Sequence, residues 1–367
     1  MIISIAKIVN PFGQFLKSLF FKHICHIIAR NHQNMPVLES NFTPSLPFKN
    51  GHFNTIYRPL FMKEKHNYER KRINTWDQDF IDLDFSVVGS KTLVILIHGL
   101  EGSSESSYMI AAVKEINAAK IDCVSFNLRG CSGVDNLLLT TYHSGKTEDV
   151  NFVVTYLTNN YEYENIAIVG YSLGGNLTLK YMGEYADQLS PIIKVAVAIS
   201  VPIDLASSDK QLSRFQNTIY MRRFLRSMRK KIRQKAAQFP HYIIDDTTLA
   251  TAKNFQDFDA LYTAPVFGFK NSADYWQQAS SNQFLSKIKT PTLLINALDD
   301  PFLGNECYPN EIAQHSNSFY LETPTYGGHC GFNSTLNGKP EKWLEHRIIK
   351  FITKNIENCK KQHNISS

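Results

Sequence analysis

The stretch Asn165-Ile166-Ala167-Ile168-Val169-Gly170-Tyr171-Ser172-Leu173-Gly174-Gly175 decides how the rest of this 367-residue chain is read. Its first five residues have the length and apolar character of a buried strand. A helix is predicted directly after it, over Leu173–Ala186. Between the two lies Gly-x-Ser-x-Gly, a strand-to-helix turn. Glycines on either side of Ser172 let neighbouring backbone approach without a Cβ clash. So tight a turn holds the serine in a strained backbone conformation. Its hydroxyl then projects above the sheet, at the positive end of the following helix. A nucleophile stands in that position.

The same strand–helix alternation extends in both directions. Ile73–Trp76 and Phe80–Val88 alternate like half-buried strands, and Leu93–Ile97 is a continuous apolar run that suits a buried parallel strand. A helix over Ser107–Ala119, a strand over Ile121–Phe126 and a helix over Thr147–Thr158 lead up to the serine turn. A strand over Val195–Ser200 follows it. The alternation stops near Pro202 and resumes at Pro291–Asn296. A last strand near Ser318–Leu321 and a closing helix over Glu341–Ile356 complete the pattern. This is the α/β class, a doubly wound, mostly parallel sheet, with residues 203–286 inserted between two strands. The expected division is a core at 61–202 and 287–367, an N-terminal segment and arm at 1–60, and a helical lid at 203–286.

Composition excludes several other classes. Apolar residues make up 43% and charged residues 20%, so the chain is neither disordered nor a disulfide miniprotein. Six scattered cysteines without a C-x-x-C pair suggest reduced thiols, and neither a zinc site nor a disulfide framework. The net charge of +6 is local, because eight basic residues lie between Arg222 and Lys235 and the remainder of the chain stands at −2. General nucleic-acid affinity is not implied. Residues 1–33 are apolar but interrupted by Lys7, Pro11, Lys17, Lys22 and Arg30. They are too broken for a spanning helix and read as an amphipathic segment, docked on the body or lying at a membrane surface. A cytoplasmic protein is expected, with peripheral contact to an anionic membrane as one of two readings left open.

A serine needs a base, and the strand order chooses among twelve histidines. In a sheet carrying this turn the order is nucleophile, acid, histidine, each on a loop at the carboxyl edge. The loop after the last strand reads Tyr326-Gly327-Gly328-His329-Cys330-Gly331-Phe332, which selects His329. The loop before it reads Ala297-Leu298-Asp299-Asp300-Pro301-Phe302. Spacing from Ala297 favours Asp300 as the acid, with Asp299 as a neighbour that caps the loop. The oxyanion donors are expected from the backbone N–H groups of Leu173 and Leu100, the latter in His98-Gly99-Leu100-Glu101-Gly102-Ser103. His98 reads as an anchor of that loop. Arg129, His143 and Asp149 border the site, to bind a polar substrate group or to brace their own loop.

Taken together, several of these motifs resemble the YheT-like α/β-hydrolases. The resemblance lies in His98–Ser104, Asn127–Gly133, Tyr142–Asp149, Gly170–Asn176, Ala297–Phe302 and Gly327–Phe332, and in Gly51-His52-Phe53-Asn54-Thr55-Ile56. It covers about residues 45–350. It implies an α/β-hydrolase fold, a Ser172–Asp300–His329 triad and esterase or lipase-like chemistry on carboxylic esters. The basic cluster and the long N-terminus fall outside it.

The expected activity is therefore hydrolysis of short- to medium-chain acyl esters or acylglycerol-like lipids through an acyl-enzyme, with no cofactor or metal. Passing the acyl group to an alcohol or thiol is the alternative, and a silent binding protein of the same fold a third. Aromatic residues in 203–286, among them Phe224, Phe267, Tyr275 and Trp276, suit an apolar acyl chain. The basic run reads either as a membrane-facing patch or as a solvated helix face.

Overall fold

The computed structural model describes residues 36–241, 246–336 and 338–366. The main-sheet strands in chain order are β1 (Val37–Leu38), β2 (Glu69–Asn74), β3 (Phe80–Ser86), β4 (Thr92–Ile97), β5 (Asp122–Asn127), β6 (Asn165–Tyr171), β7 (Ile193–Ile199), β8 (Thr292–Ile295) and β9 (Phe319–Glu322). They lie side by side as β1-β9-β8-β7-β6-β4-β5-β3-β2. Every pairing from β1 across to β5 is parallel, and β3 and β2 add an antiparallel edge. The chain thus forms the doubly wound, mostly parallel sheet that the strand–helix alternation pointed to, with the antiparallel edge that the resemblance to α/β-hydrolases allows.

The apolar run of β4 is continuous because both of its faces are buried. Leu93, Ile95 and Ile97 enter one hydrophobic cluster, while Val94 and Leu96 enter another on the opposite face. The cross-strand register then sets the position of the site. Ile97 pairs with Gly170, Tyr171 with Ile199, and Ile199 with Ile295, so β4, β6, β7 and β8 end at one edge. After β5 the strand order reverses, since β5 and β6 flank β4 on opposite sides. The crevice at the carboxyl ends beside such a reversal is where open α/β sheets bind ligands.

The helices are α1 (Gly51–Phe61), α2 (Ser107–Ala118), α3 (Thr147–Asn160), α4 (Leu173–Glu184), α5 (Leu205–Leu212) and α6 (Thr218–Gln238), then short segments to Ala279, α-helix Asn310–Gln314 and the closing helix Trp343–Ser366. Between β7 and β8, residues 203–286 contribute no strand among the described residues. They carry their own cluster, in which Leu212, Met221, Leu225, Ile232 and Phe258 meet Phe302 from the loop after β8.

Over residues 36–61 the described chain is more than an arm. β1 pairs with β9 as an edge of the main sheet. The Asn50 side chain caps α1 by accepting the Phe53 N–H at 2.9 Å. A two-residue edge strand has too little pattern to be seen in sequence. The hairpin of Ser334–Leu336 with Lys339–Glu341 was likewise missed. No helix among the described residues is long and apolar enough to cross a membrane. The amphipathic segment read over residues 1–33 lies outside the described residues.

Candidate active site

The turn between β6 and α4 is as tight as its glycines require. Ser172 sits at φ 53°, ψ −118°, in the left-handed region that non-glycine residues rarely occupy. A Cβ on Gly170 would lie 2.2 Å from the Gly174 carbonyl oxygen, and one on Gly174 would lie 2.3 Å from that of Ile97. Only glycine fits either place. The Ser172 N–H donates to the Ile199 carbonyl at 2.8 Å, which continues the sheet pairing into the turn.

The loops after β8 and β9 converge on this serine. His329 Nε2 lies 2.9 Å from Ser172 Oγ, and His329 Nδ1 lies 2.9 Å from Asp300 Oδ2 and 3.2 Å from Oδ1. The Asp300 side chain is fully buried and also accepts the Phe302 N–H at 2.9 Å. Phe302 places its ring 4.2 Å from the imidazole, centre to centre. The His329 turn is held from below by α1: its N–H donates to Thr55 Oγ1 at 2.8 Å, and that hydroxyl donates to the Gly51 carbonyl at 2.7 Å. Gly328 has φ +58°, and a Cβ there would meet the Gly51 carbonyl oxygen at 2.4 Å. Burial alone would make the imidazolium of His329 less stable, but the facing Asp300 carboxylate outweighs it and raises the pKa.

Asp299 points elsewhere. Its Oδ1 accepts the Gly328 N–H at 2.8 Å, so it holds the turn rather than the imidazole. Burial pushes its carboxyl up to about 6.

The loop after β4 closes over the serine. A Cβ on Gly99 would lie 3.0 Å from that of Ser172. His98 is fully buried and anchors the loop, with Nδ1–H donating to the Gly99 carbonyl at 2.8 Å and Nε2 accepting the Leu128 N–H at 3.1 Å. Burial lowers its pKa to about 4 and keeps it neutral. The Gly99 N–H donates to Tyr108 Oη and the Glu101 N–H to Tyr142 Oη, both at 2.9 Å. Among the described residues no acceptor lies on the Leu100 N–H. Leu173 opens α4, where helix geometry leaves its N–H without an intrahelical partner.

Glu101 ties this loop to α6. Its carboxylate accepts from Tyr142 Oη at 2.7 Å, Ser227 Oγ at 2.6 Å and Lys231 Nζ at 2.9 Å. Burial works against its charge, yet Lys231 and these donors hold the carboxyl below its usual range. Glu101 itself has φ +55°, so the contact holds a strained backbone.

Ser172 and His329 open onto a cavity of about 140 Å³. Its walls are largely apolar and come mostly from 203–286: Leu212, Phe224, Met228, Ile232, Phe267 and Trp276 among others. Leu100 and Leu173 line it too. Asp259 is a buried carboxyl in the wall, pushed up to about 7 by burial, and it accepts from Thr263 Oγ1 at 2.6 Å and Trp276 Nε1 at 2.8 Å.

The three candidates from the loop after β5 divide. Arg129 and Asp149 pair with each other through two 2.8 Å contacts, and Arg129 also meets Asp77 and Asp79. They brace their loop and do not line the cavity. His143 does line it, with its ring among Phe267, Phe269 and Tyr275. Burial lowers its pKa to about 3, so it is a neutral wall residue. Of the basic run, Lys231 and Lys235 turn inward, the latter to the Asn136 carbonyl. Reading all eight as one surface patch is therefore corrected. Thr55, Glu101 and Tyr142 lie in the motifs that carry the resemblance but were given no role in sequence, and Tyr108 and the Glu101–Lys231 pairing were not foreseen. The positive charge at Lys231 stood out as part of the basic run, and it gave no hint of its partner.

Comparison with known proteins agrees with this architecture. A family model described as the alpha/beta hydrolase fold matches residues 92–332. "Putative esterase YheT" of Escherichia coli (strain K12) is 31% identical over 87% of this chain and 94% of its own length. Monoacylglycerol lipase of Saccharomyces cerevisiae is 31% identical over 72% of this chain, which spans 59% of that enzyme. Phospholipase ABHD3 of Mus musculus is 27% identical over 88% of this chain and 80% of its own. Among solved structures, esterase Pf2001 of Pyrococcus furiosus superposes with TM-score 0.52 at 17% identity, covering 88% and 96% of the two chains, a likeness of fold. The chain belongs to the α/β-hydrolase family, among its YheT-like members.

Proposed function

We propose that the protein hydrolyses carboxylic esters with an apolar acyl chain, of short to medium length or acylglycerol-like, through an acyl-enzyme on Ser172. The observation that carries this reading is the hydrogen-bond chain from Ser172 Oγ through His329 to Asp300, set in the wall of an apolar cavity. The names of the relatives, an esterase, a monoacylglycerol lipase and a phospholipase, support ester hydrolysis as the reaction class.

The chemistry follows from the donors present. Ser172 Oγ attacks the ester carbonyl carbon while His329 Nε2 takes its proton. Asp300 stabilises the imidazolium and fixes the tautomer that leaves Nε2 free to accept. The Leu100 and Leu173 N–H groups hold the oxyanion. His329 gives its proton to the leaving alcohol. Water then attacks the acyl-enzyme, with His329 again as the base, and releases the acid. No step calls for a cofactor. Residues 203–286 act as the lid that supplies the acyl wall and limits water at the acyl-enzyme.

A series of p-nitrophenyl esters of increasing acyl length, run with and without an alcohol acceptor, tests the proposal. Turnover that rises with chain length and then falls, releasing free acid, is the expected result. Failure to turn over any ester would overturn it. Ester formed with the added alcohol as the main product would instead make the protein an acyltransferase.

A further inference from the structure

Helix α6 has two faces of opposite character. Phe224, Met228, Lys231 and Ile232 turn inward and line the cavity. On the other side lie Ile219, Arg222, Arg223, Arg226 and Lys230, all exposed. At about 100° per residue these five fall on one stripe, centred opposite the cavity wall. Among the described residues none of the four cations is paired with a carboxylate. Phe215 precedes the helix with 95% of its surface exposed, and Ile219 in the first turn is 79% exposed. Two large apolar side chains this exposed, four positions apart and beside a stripe of cations that no described carboxylate pairs, make an amphipathic surface patch.

We propose that this outer face of α6, together with Phe215, docks on an anionic bilayer surface. The charge fits, since each arginine near such a surface gains from the negative potential of the lipid headgroups. The apolar pair fits as well, because an interfacial helix seats large side chains below its cations, at the headgroup boundary. A nucleic-acid backbone would satisfy the arginines and leave Phe215 and Ile219 in water, so the pair decides between the two polyanions. Arg222, Arg226, Arg229 and Arg233 also line a surface groove with Lys253, and Arg229 donates there to the Ala252 carbonyl. Docking there sets the back of the cavity's own wall helix against the lipid. Lys231 and Lys235 take no part, being committed inward. The proposal does not depend on the catalytic reading.

The test is co-flotation of the full chain with phosphatidylcholine vesicles, with and without about one-third phosphatidylglycerol. Binding to the anionic vesicles only, weakened by salt, is expected. Arg222→Gln/Arg223→Gln/Arg226→Gln should weaken partitioning roughly 100-fold, at about 1 kcal/mol per cation. Phe215→Ser/Ile219→Ser should weaken it roughly tenfold or more even at low salt, where the cations act most strongly. Turnover of a soluble p-nitrophenyl ester and the circular dichroism spectrum should match wild type in both variants. Equal vesicle binding by wild type and the arginine variant overturns the proposal, as does equal binding to the uncharged vesicles. Binding that duplex DNA displaces, with Phe215→Ser/Ile219→Ser indistinguishable from wild type, would make the face a polyanion contact instead of a bilayer one.

Discussion

The turn at Ser172 and the helix α6 face the same cavity, yet they are specified in different ways. Around Ser172 the turn is dictated largely by local backbone geometry: a strand of set length, a glycine at 170 where a Cβ would strike the Gly174 carbonyl 2.2 Å away, and a helix immediately after, with β4 adding one constraint through the Ile97 carbonyl beside Gly174. Along α6 nothing local fixes the outcome. Lys231 is half-buried because Glu101, some 130 positions earlier, waits for it, whereas Lys230 beside it is exposed. The serine turn is thus written largely in local constraint, whereas the wall that α6 gives the cavity is written in long-range packing. Substitutions in the first region should abolish the reaction. Those in the second should tune it.

The largest effect is expected from Ser172→Ala, which should lower kcat on a soluble ester by about 10⁶, the scale of removing a hydrolase nucleophile. Asp300→Asn comes next, at around 10⁴, because an amide cannot stabilise the imidazolium. It should also move the pH profile. His329 works as a base only when neutral, and Asp300 raises its pKa. Wild-type kcat/KM should therefore fall as the solution is made more acidic, and the Asn variant should shift that limb to lower pH.

The smaller effects separate positioning from chemistry. Lys231→Met leaves Glu101 without its cation in a site where a stranded buried charge costs about 3–5 kcal/mol. With protonation of Glu101 relieving part of that, a loss in kcat of about 30-fold is expected, with Lys231→Arg recovering most of it. A 10⁴-fold loss in Lys231→Met, or none at all, would break the division between the two regions. Asp299→Asn should cost about tenfold through the Gly328 contact, roughly 1.4 kcal/mol. If Asp299→Asn proves more crippled than Asp300→Asn while both are folded, the acid has been assigned one residue out of place.

The same division explains what was legible in the sequence. The sheet could be read because buried parallel strands such as Leu93–Ile97 are apolar on both faces and have no other plausible home. Ser172, Asp300 and His329 could be singled out because strand order leaves few loops to search. Thr55 could not, since α1 meets the His329 turn 274 positions away and a single hydroxyl carries no pattern. Arg129 and Asp149 could be read as substrate ligands or as braces of their own loop, because charge is visible in a sequence and a pairing partner is not; the pair they form is the bracing one. The inward turn of Lys231 and Lys235 was hidden inside a run that composition marks only as basic.

Labelling with a fluorophosphonate tests the central claim most directly, because the reagent needs an activated serine and no knowledge of the natural ester. Wild-type protein should take one label, mapped to Ser172 by peptide mass, and Ser172→Ala should take none. A label on any other serine, or undiminished labelling of folded Ser172→Ala, would contradict the account.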